Sequence, residues 1–227
     1  MSFNELYFFV RGPLALVAFF IFFVGLIYQI FFFFRNTKKI DQKNILIPLY
    51  LQEELKRVVH RRRGIFSLDN DFWTTIITTF FHLFLIIVPL FLLAHNILIE
   101  ESWNFSFPSL SERLSDIFTA VVLFLGLVLL FRRIFLSKVR AITTFGDFVL
   151  FVLVYLPFLT GFLAYHGLYY KPMIIAHIIC GEIMLVCIPF TRLRHMLFLL
   201  LNRIFIQSEY SFLKAGKRVY GRVVKKV

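Results

Sequence analysis

Charged residues are scarce in this 227-residue chain, and the few that it has are mostly basic. Only 17% of its residues are charged, whereas 59% are hydrophobic and 32 are phenylalanine. A soluble domain of this length cannot bury so much apolar surface, so lipid must be the solvent for most of the chain. The apolar runs are continuous and do not alternate with polar residues, which excludes a β-barrel and predicts membrane-spanning helices.

Cysteine is also scarce, and the two that are present exclude further classes of protein. Cys180 and Cys187 lie in one apolar run, so they form neither a disulfide framework nor a C-x-x-C site. We interpret them as small packing residues. The chain shows no nucleotide-binding loop, no soluble catalytic domain and no signal-peptide cleavage site after its first apolar stretch. We therefore expect the first apolar stretch to be a membrane span. We also expect the chain to be a subunit of a complex, with the terminal substrate bound by a partner.

Five spans can be drawn, and they predict an all-α integral membrane protein with a single five-helix bundle over residues 1–227. Each approaches the ~20 residues that a spanning helix needs. We expect a capping box at S-L-S-E, from Ser109 to Glu112, and a cap at Thr144. The predicted spans are about 12–34, 72–99, 109–131, 147–165 and 172–206, with a basic loop at 35–71 and a basic tail at 207–227.

Lysine and arginine are unequally distributed among the connecting segments. All but three of the 25 lie in the segments 35–71, 132–146 and 191–227. Basic loops stay in the cytoplasm, so we expect the amino terminus outside and the carboxyl terminus inside a bacterial or archaeal cytoplasmic membrane. The formal net charge of +12 then reflects topology and anionic lipid headgroups, and it requires no nucleic acid.

The segment Asn44–Gly64 of the basic loop mixes apolar and basic residues at roughly helical spacing. It fits a helix that lies along the inner membrane surface, and it fits equally a docking platform for a cytoplasmic partner. The two interpretations are compatible.

Four of the six histidines lie in or at the edges of two spans. His82 and His95 are in the second span, and His177 and His195 are in the fifth. A lone histidine in a span is usually a satisfied hydrogen-bonding residue, but ionisable groups in membranes are rare and these come in matched pairs. Neutral imidazole is the commonest metal ligand, and histidines from facing helices can hold a haem iron from both sides.

Helical geometry predicts how the four histidines pair. Eighteen residues are five whole turns of a straight helix, so His177 and His195 share one face and lie about 27 Å apart. Because the two spans run in opposite directions, we expect His82 beside His195 at the cytoplasmic side and His95 beside His177 at the outer side. Gly181 falls on the same face as His177, where a missing side chain would admit a flat macrocycle.

The second span fits this pattern less directly. Thirteen residues place His82 and His95 about 140° apart on a straight helix. Pro89 lies between them, and we expect it to kink the helix and rotate the later half.

Three stretches carry a resemblance to a known family. FFHLFLIIVPLFLLAHN, RRIFLSKVRAITTFGD and HIICGEIMLVCIPFTRLRH resemble the cytochrome b membrane subunits of the respiratory nitrate reductase gamma-subunit family. The third is the most specific, because its histidine spacing and its P-F-[ST]-R-L run both match. The resemblance covers the last four spans. The spacing between His82 and His95 is wider than in the nitrate reductase branch, which favours the branch that serves heterodisulfide-reductase-like complexes, including those of sulfate-reducing bacteria.

The resemblance implies a bundle with two haem b groups between helices two and five, with His82, His95, His177 and His195 as axial ligands. It also implies electron transfer with a quinone, usually menaquinone, near the outer haem. We expect the inner haem to exchange electrons with a docked cytoplasmic iron–sulfur subunit of the heterodisulfide-reductase-like type. A cytochrome c or further membrane subunits are additional expected partners. The chain is then an oxidoreductase subunit and not a complete enzyme.

Polar residues near the outer face are candidates for a quinone site. Arg113 and Asp116 form either an ion pair at a helix start or the border of a quinone headgroup pocket, where a titratable group would serve proton transfer. The full set of candidates is Arg113, Asp116, His166 and Lys171.

Two charged residues of the fifth span receive separate interpretations. Arg192, one turn before His195, is our best candidate to neutralise a haem propionate, whereas most basic residues nearby serve as membrane anchors. Glu182 lies about 140° around the helix from His177 and should point away from the haems. It either bonds to another helix or forms a step in a proton path.

Two other functions are compatible with the sequence. A proton-coupled transporter or channel would use the histidines and Glu182 as a relay. It predicts a colourless protein, leaves the histidine register unexplained, and lacks the inverted repeat that many transporters show. A scaffold that only anchors a soluble enzyme predicts that replacement of the four histidines leaves the partner's activity intact.

Overall fold

The computed structural model of the chain describes residues 2–42 and 72–195. Within these ranges all regular secondary structure is helical, and five helices are long and apolar enough to cross a membrane. The chain is therefore a multi-pass membrane protein. The segment Asn44–Gly64, most of the predicted basic loop and the basic tail 207–227 lie outside the described residues.

The helices follow one another with short connections, except across the residues not described. They are α1 Phe3–Phe9, a π-helical turn Val10–Leu14, α2 Ala15–Gln42, α3 Phe72–Phe91, α4 Leu93–Trp103, α5 Glu112–Phe135, α6 Ser137–Arg140, α7 Phe145–Tyr165, α8 Tyr170–Phe190 and a 3₁₀ turn Arg192–Arg194. Helix α8 packs against α7 and α2, while α5 packs against α3 and α7. The backbones of α3 and α8 make almost no close contact, and side chains lie between them, since Met184 and Ile188 of α8 pack against the core that includes Phe81 and Leu85 of α3.

The buried core lies where α3, α5 and α7 meet. Its members are Phe81, Leu85, Val88, Val122, Leu123, Val154, Phe158 and Leu193. Gly126 of α5 lets the ring of Tyr155 approach, since a Cβ at this position would lie 2.8 Å from that ring. Many other large apolar side chains point outward, such as Phe20 and Phe124, which is the arrangement expected of helices surrounded by lipid.

The two predicted helix caps have different outcomes. The cap at Thr144 is confirmed, because its backbone N–H and its hydroxyl both donate to Oδ2 of Asp147 at 2.8 Å. The capping box from Ser109 to Glu112 is wrong. Ser111 is the cap of α5, and its hydroxyl accepts the N–H of Leu114, so Glu112 occupies the first helical position and cannot close a capping box.

The second span is broken and not merely kinked. It was predicted as one helix over 72–99, but α3 ends at Phe91 and Leu92 is extended, with φ −68° and ψ 128°. Asn96, only 2% exposed, holds the break together. Its amide donates to the carbonyls of Leu90 and Leu92 at 3.2 and 3.3 Å, and its Oδ1 accepts the N–H of Phe107 at 3.0 Å. These bonds satisfy backbone groups that the interrupted helix leaves open.

The fifth span is interrupted as well, so the continuous helix predicted between His177 and His195 is wrong. Helix α8 ends at Phe190, and Thr191 is extended with φ −115° and ψ −175°. The Thr191 hydroxyl accepts the N–H of Leu193 at 3.3 Å, and this local bond competes with continuation of the helix. Residues 196–206, where the helix was expected to extend, lie outside the described residues.

Replacement of Asn96 with alanine should destabilise the bundle, because the Phe107 N–H and two carbonyls would lose a buried partner. Each buried polar group left without a bond costs about 1–3 kcal/mol. We expect a lower midpoint temperature for loss of the monodisperse protein in detergent. The matched control is Asn4→Ala, at an exposed position of α1, which should leave the midpoint unchanged. Equal midpoints for the two variants would show that Asn96 does not hold the break.

Candidate functional site

Two pairs of histidine rings lie between the second and fifth predicted spans. The ring centroids of His82 and His195 lie 6.0 Å apart, with 74° between the ring planes. Those of His95 and His177 lie 5.8 Å apart, with 19° between the planes. The structure therefore brings together the same pairs that the sequence suggested, while their role as ligands stays a prediction.

All four imidazoles share one pattern of hydrogen bonding, in which Nδ1–H donates to a backbone carbonyl oxygen. The bonds are His82 to Thr78 at 2.7 Å, His95 to Pro89 at 2.9 Å, His177 to Pro157 at 2.7 Å and His195 to Arg192 at 2.6 Å. A proton on Nδ1 leaves the lone pair of a neutral imidazole on Nε2, and such a bond orients the ring of metal-ligating histidines. Each ring is thus held with one nitrogen available as a ligand.

The separation within each pair matches that of two imidazoles on opposite sides of a metal ion. Two metal–nitrogen bonds of about 2 Å, together with the ring half-widths, place the centroids about 6 Å apart. Aromatic rings in direct contact cover the same range, about 4.5–7 Å, so the common Nδ1 bonding is the more informative feature. Within residues 2–42 and 72–195, no group of three or more His, Cys, Asp or Glu side chains comes together. A metal held here would need ligands that the described side chains do not supply.

The break after Phe91 positions His95. The ring lies in the first turn of α4, and its Nδ1 reaches back to the carbonyl of Pro89, close to the end of α3, where carbonyl groups lose their helical donors. On a straight helix His95 would point about 140° away from His82. The break instead directs both rings towards the fifth span.

Gly161 of α7, which the sequence did not single out, makes room for His177. A Cβ at this glycine would lie 2.8 Å from Nδ1 and 2.9 Å from Cε1 of the His177 ring. Any side chain there would push the ring off the carbonyl of Pro157. Gly181 of α8 has the opposite surroundings, since a Cβ there would meet none of the described residues within 4 Å. The described part of the chain therefore leaves open space beside Gly181, where the sequence predicted room for a flat ligand.

Two contacts hold the segment that carries His195. Leu193 is buried in the core, and the guanidinium of Arg192 donates to Oδ1 of Asp147 at 2.7 Å. Arg192 thus ties the 3₁₀ turn to the start of α7. Its predicted role at a haem propionate stays a prediction, and the exposed position of its side chain leaves part of it open to a further anion.

The structure joins two of the four predicted quinone residues. Nε2 of His166 lies 3.0 Å from Oδ1 of Asp116, so the carboxylate pairs with the histidine at the C-cap of α7. Lys171 lies against the ring of Phe3, with its Nζ 5.5 Å from the ring centroid. Arg113 is exposed in the first turn of α5.

An apolar groove of about 560 Å³ lies away from the histidines. It is lined by Leu16, Val17, Phe19, Phe20, Phe23 and Trp103. Its described lining consists of aliphatic and aromatic side chains, so this groove offers a surface for hydrocarbon.

Comparison with known proteins finds one relative over nearly the full length. A protein of Nitratidesulfovibrio vulgaris strain Hildenborough, described only as "Protein", is 33% identical over 220 residues, covering 93% of this chain and 96% of that protein. No family model and no solved structure matches the chain. The resemblance to the nitrate reductase gamma-subunit family therefore stays a prediction.

Replacement of Gly161 with alanine should displace His177, because the added methyl group overlaps its ring. Overpacking of this kind costs about 1–3 kcal/mol, so the thermal midpoint of the protein in detergent should fall. Gly146→Ala is the matched control on the same helix, since its Cβ would meet only the Thr144 hydroxyl at 3.8 Å. A Gly161→Ala protein as stable as the Gly146→Ala protein would mean that the close approach is not required.

Proposed function

We propose that this chain, which belongs to the same family as the Nitratidesulfovibrio vulgaris protein, is a di-haem cytochrome b subunit of a membrane redox complex. It transfers electrons between a membrane quinone, menaquinone by resemblance, and a cytoplasmic iron–sulfur subunit of the heterodisulfide-reductase-like type. The observation that carries the proposal is the shared hydrogen bonding of the four paired imidazoles.

In each pair, the two Nε2 atoms need a group between them that can accept their lone pairs. Once Nδ1–H is donated to a carbonyl, a neutral ring has only the acceptor Nε2 left, so the two rings of a pair cannot hydrogen-bond to each other. For the half-buried pair His95 and His177, little water is available to satisfy these nitrogens, and an unsatisfied polar atom is costly. The exposed His195 lies beyond the spanning helix Tyr170–Phe190, so this cost is smaller for its pair. A metal ion that accepts both lone pairs resolves this cost.

Haem suits this donor set because its iron needs only two ligands from the protein. The porphyrin supplies the other four nitrogens, so paired histidines suffice where no third protein ligand is close. The space that the described residues leave open beside Gly181 supports room for the edge of a flat macrocycle. His82 and His195 would hold one haem, and His95 and His177 the other. When bound, haem supplies the one-electron redox chemistry.

The chain's own residues orient the ligands and set their surroundings. The carbonyl bonds fix the angle of each imidazole, and the apolar helices exclude water. Basic side chains gather at the end of the bundle that carries His82 and His195, where Arg133 and Arg192 both contact Asp147. We propose that this end faces the cytoplasm and that its positive charge complements an acidic partner surface. Its described basic residues include Arg35, Arg132, Arg133, Lys138, Arg140, Arg192 and Arg194.

We propose the Asp116–His166 pair as the proton-transfer group of a quinone site at the opposite end. Quinone reduction consumes protons together with electrons, and quinol oxidation releases them. An imidazole that bonds to a carboxylate at 3.0 Å is suited to exchange a proton with the oxygen of a headgroup. The exposed cations Arg113 and Lys171 would attract the headgroup oxygens.

The alternative, a proton-coupled transporter, receives less support. A relay needs proton donors and acceptors in sequence. Among the described residues, however, the Glu182 carboxylate has no hydrogen-bond partner, and each of the four paired imidazoles has committed its N–H to a carbonyl. The transporter interpretation also predicts a protein without a visible absorption spectrum.

The purified chain should show a reduced-minus-oxidised spectrum of b-type haem, with two haems per chain by haem quantification. His195→Ala should remove one haem and leave the other, because His95 and His177 form a separate pair. His60→Ala, at a histidine that the sequence places outside the spans, should retain both. A colourless chain would overturn the proposal, and retention of two haems in His195→Ala would overturn the assignment of ligands.

Asp116→Asn should slow haem reduction by a menaquinol analogue by about tenfold or more, because the carboxylate that supports proton transfer is lost. The haem content should not change, since Asp116 is not a proposed ligand. Glu112→Gln, at an exposed carboxylate in the first turn of the same helix, is the control. A rate equal to that of the control would remove the Asp116–His166 pair from the quinone site.

A further inference from the structure

Glu182 is a buried carboxylate that the proposed electron transfer does not use. Only 7% of the residue is exposed, and neither carboxylate oxygen has a hydrogen-bond partner among the described residues. The residue lies in the membrane-spanning helix α8. Burial of a carboxylate without a partner is costly, and ionisable groups inside membranes are rare and usually functional. Packing alone does not account for a glutamate at this position.

The α8 face that carries Glu182 is turned to α2. A Cβ added to Gly25 of α2 would lie 2.7 Å from the ring of Pro189, which identifies the face of α8 in contact with α2. Glu182 precedes Pro189 by seven residues, close to two helical turns, and therefore shares that face. His177 instead contacts Pro157 and Gly161 of α7, so the carboxylate and the histidine lie on different sides of α8.

The two helices run parallel, which places a small residue of α2 at the level of Glu182. At one end Lys171 lies against the ring of Phe3, and at the other Gln29 donates to the Pro189 carbonyl at 2.8 Å. Because Gly25 lies at the level of Pro189, the residue seven positions earlier in α2, Ala18, lies at the level of Glu182. Ala18 is buried, and its methyl group can neither neutralise nor hydrogen-bond a carboxylate.

No charged side chain in the described part of the chain bonds to Glu182. Between Arg11 and Arg35 the chain carries no charged residue, and its titratable side chain in that stretch is Tyr28. The π-helical turn and α1 also contact α8 and carry Arg11, Glu5 and Tyr7, and Arg11 pairs with Glu101. The titratable side chains of α7 and those of α8 near Glu182 are Asp147, Tyr155, Tyr165, His177, Cys180 and Cys187. None of these is bonded to Glu182 in the described part of the chain. A proton is then the simplest ligand that removes the cost of the buried charge.

We propose that Glu182 is a proton-binding site within the membrane, at the seam between α2 and α8. Its carboxylate takes up one proton to become a neutral acid and releases the same proton again, with no other bond made or broken. The site is separate from the histidine pairs, and the proposal does not depend on haem. Glu182 lies where α2 and α8 pack in parallel, and small residues such as Ala18 and Gly25 let the two helices approach there. This contact is on a different side of α8 from His177.

The test uses dicyclohexylcarbodiimide, an apolar reagent that modifies protonated carboxyl groups in membranes, on the full-length purified chain. Mass spectrometry of peptides should find the label on Glu182 and not on the exposed carboxylates Glu5 and Glu101. Labelling should fall with rising pH, by about tenfold per pH unit once the carboxyl group titrates. Glu182→Gln, which keeps the shape of the side chain, should lose this label entirely.

Several results would overturn the proposal. Absence of label on Glu182 at every pH, or a label that does not vary with pH, would show that the carboxyl group does not exchange a proton under these conditions. Protection by sodium ions at constant pH would make the site a cation site. An infrared pH-difference spectrum is the independent check, since the band of the protonated acid should be present in the native chain and missing from Glu182→Gln. The haem content should be the same in both proteins, so failure here is distinguishable from failure of the proposed function.

Discussion

The arrangement of this molecule depends on four imidazole N–H groups that donate to backbone carbonyls. Helices ordinarily use those carbonyls for their own hydrogen bonds, but a carbonyl oxygen has two lone pairs and can accept a second donor. Thr78 and Pro157 lie inside α3 and α7 and accept in this way. Pro89 and Arg192 lie beside interruptions of the helices, where acceptors are less occupied. These bonds therefore have two effects: they give each imidazole N–H the acceptor that a polar group in a membrane needs, and they fix the direction of every paired ring.

The interruptions of the second and fifth spans help to place the paired histidine rings. A continuous second span would direct His95 away from His82, and Asn96 stabilises the break that prevents this. At the fifth span, Gln29 donates to the Pro189 carbonyl and Thr191 starts a new turn. Each break leaves backbone groups open, and in each case a side chain from nearby or from another helix satisfies them. Stability and ring placement thus come from the same contacts.

Much of this architecture could be predicted from the sequence, because lipid imposes simple rules on span length and charge. Span direction alone predicts that His95 and His177 lie at the same level of the membrane, whereas the break after Phe91 is what turns the His95 ring towards the fifth span. The register of His195 was predicted on a continuous helix that the chain does not form, and Leu193 places the residue by packing instead. The role of Gly161 could not be predicted from the sequence, since it depends on which helix packs against His177. The bond between Asp116 and His166 joins residues fifty positions apart and likewise depends on how α5 and α7 pack.

Helix α8 carries a proposed haem ligand and a proposed proton-binding group on different sides. His177 faces α7 and His95, whereas Glu182 faces α2, and the five residues between them correspond to about 7.5 Å of rise. In a medium of low dielectric constant, a charge on one side is strongly felt on the other. In the proposed di-haem arrangement, an electron held between the histidines would favour a proton on Glu182, and removal of that electron would favour its release. The two proposed sites would then influence each other by electrostatics, without a hydrogen-bonded path between them.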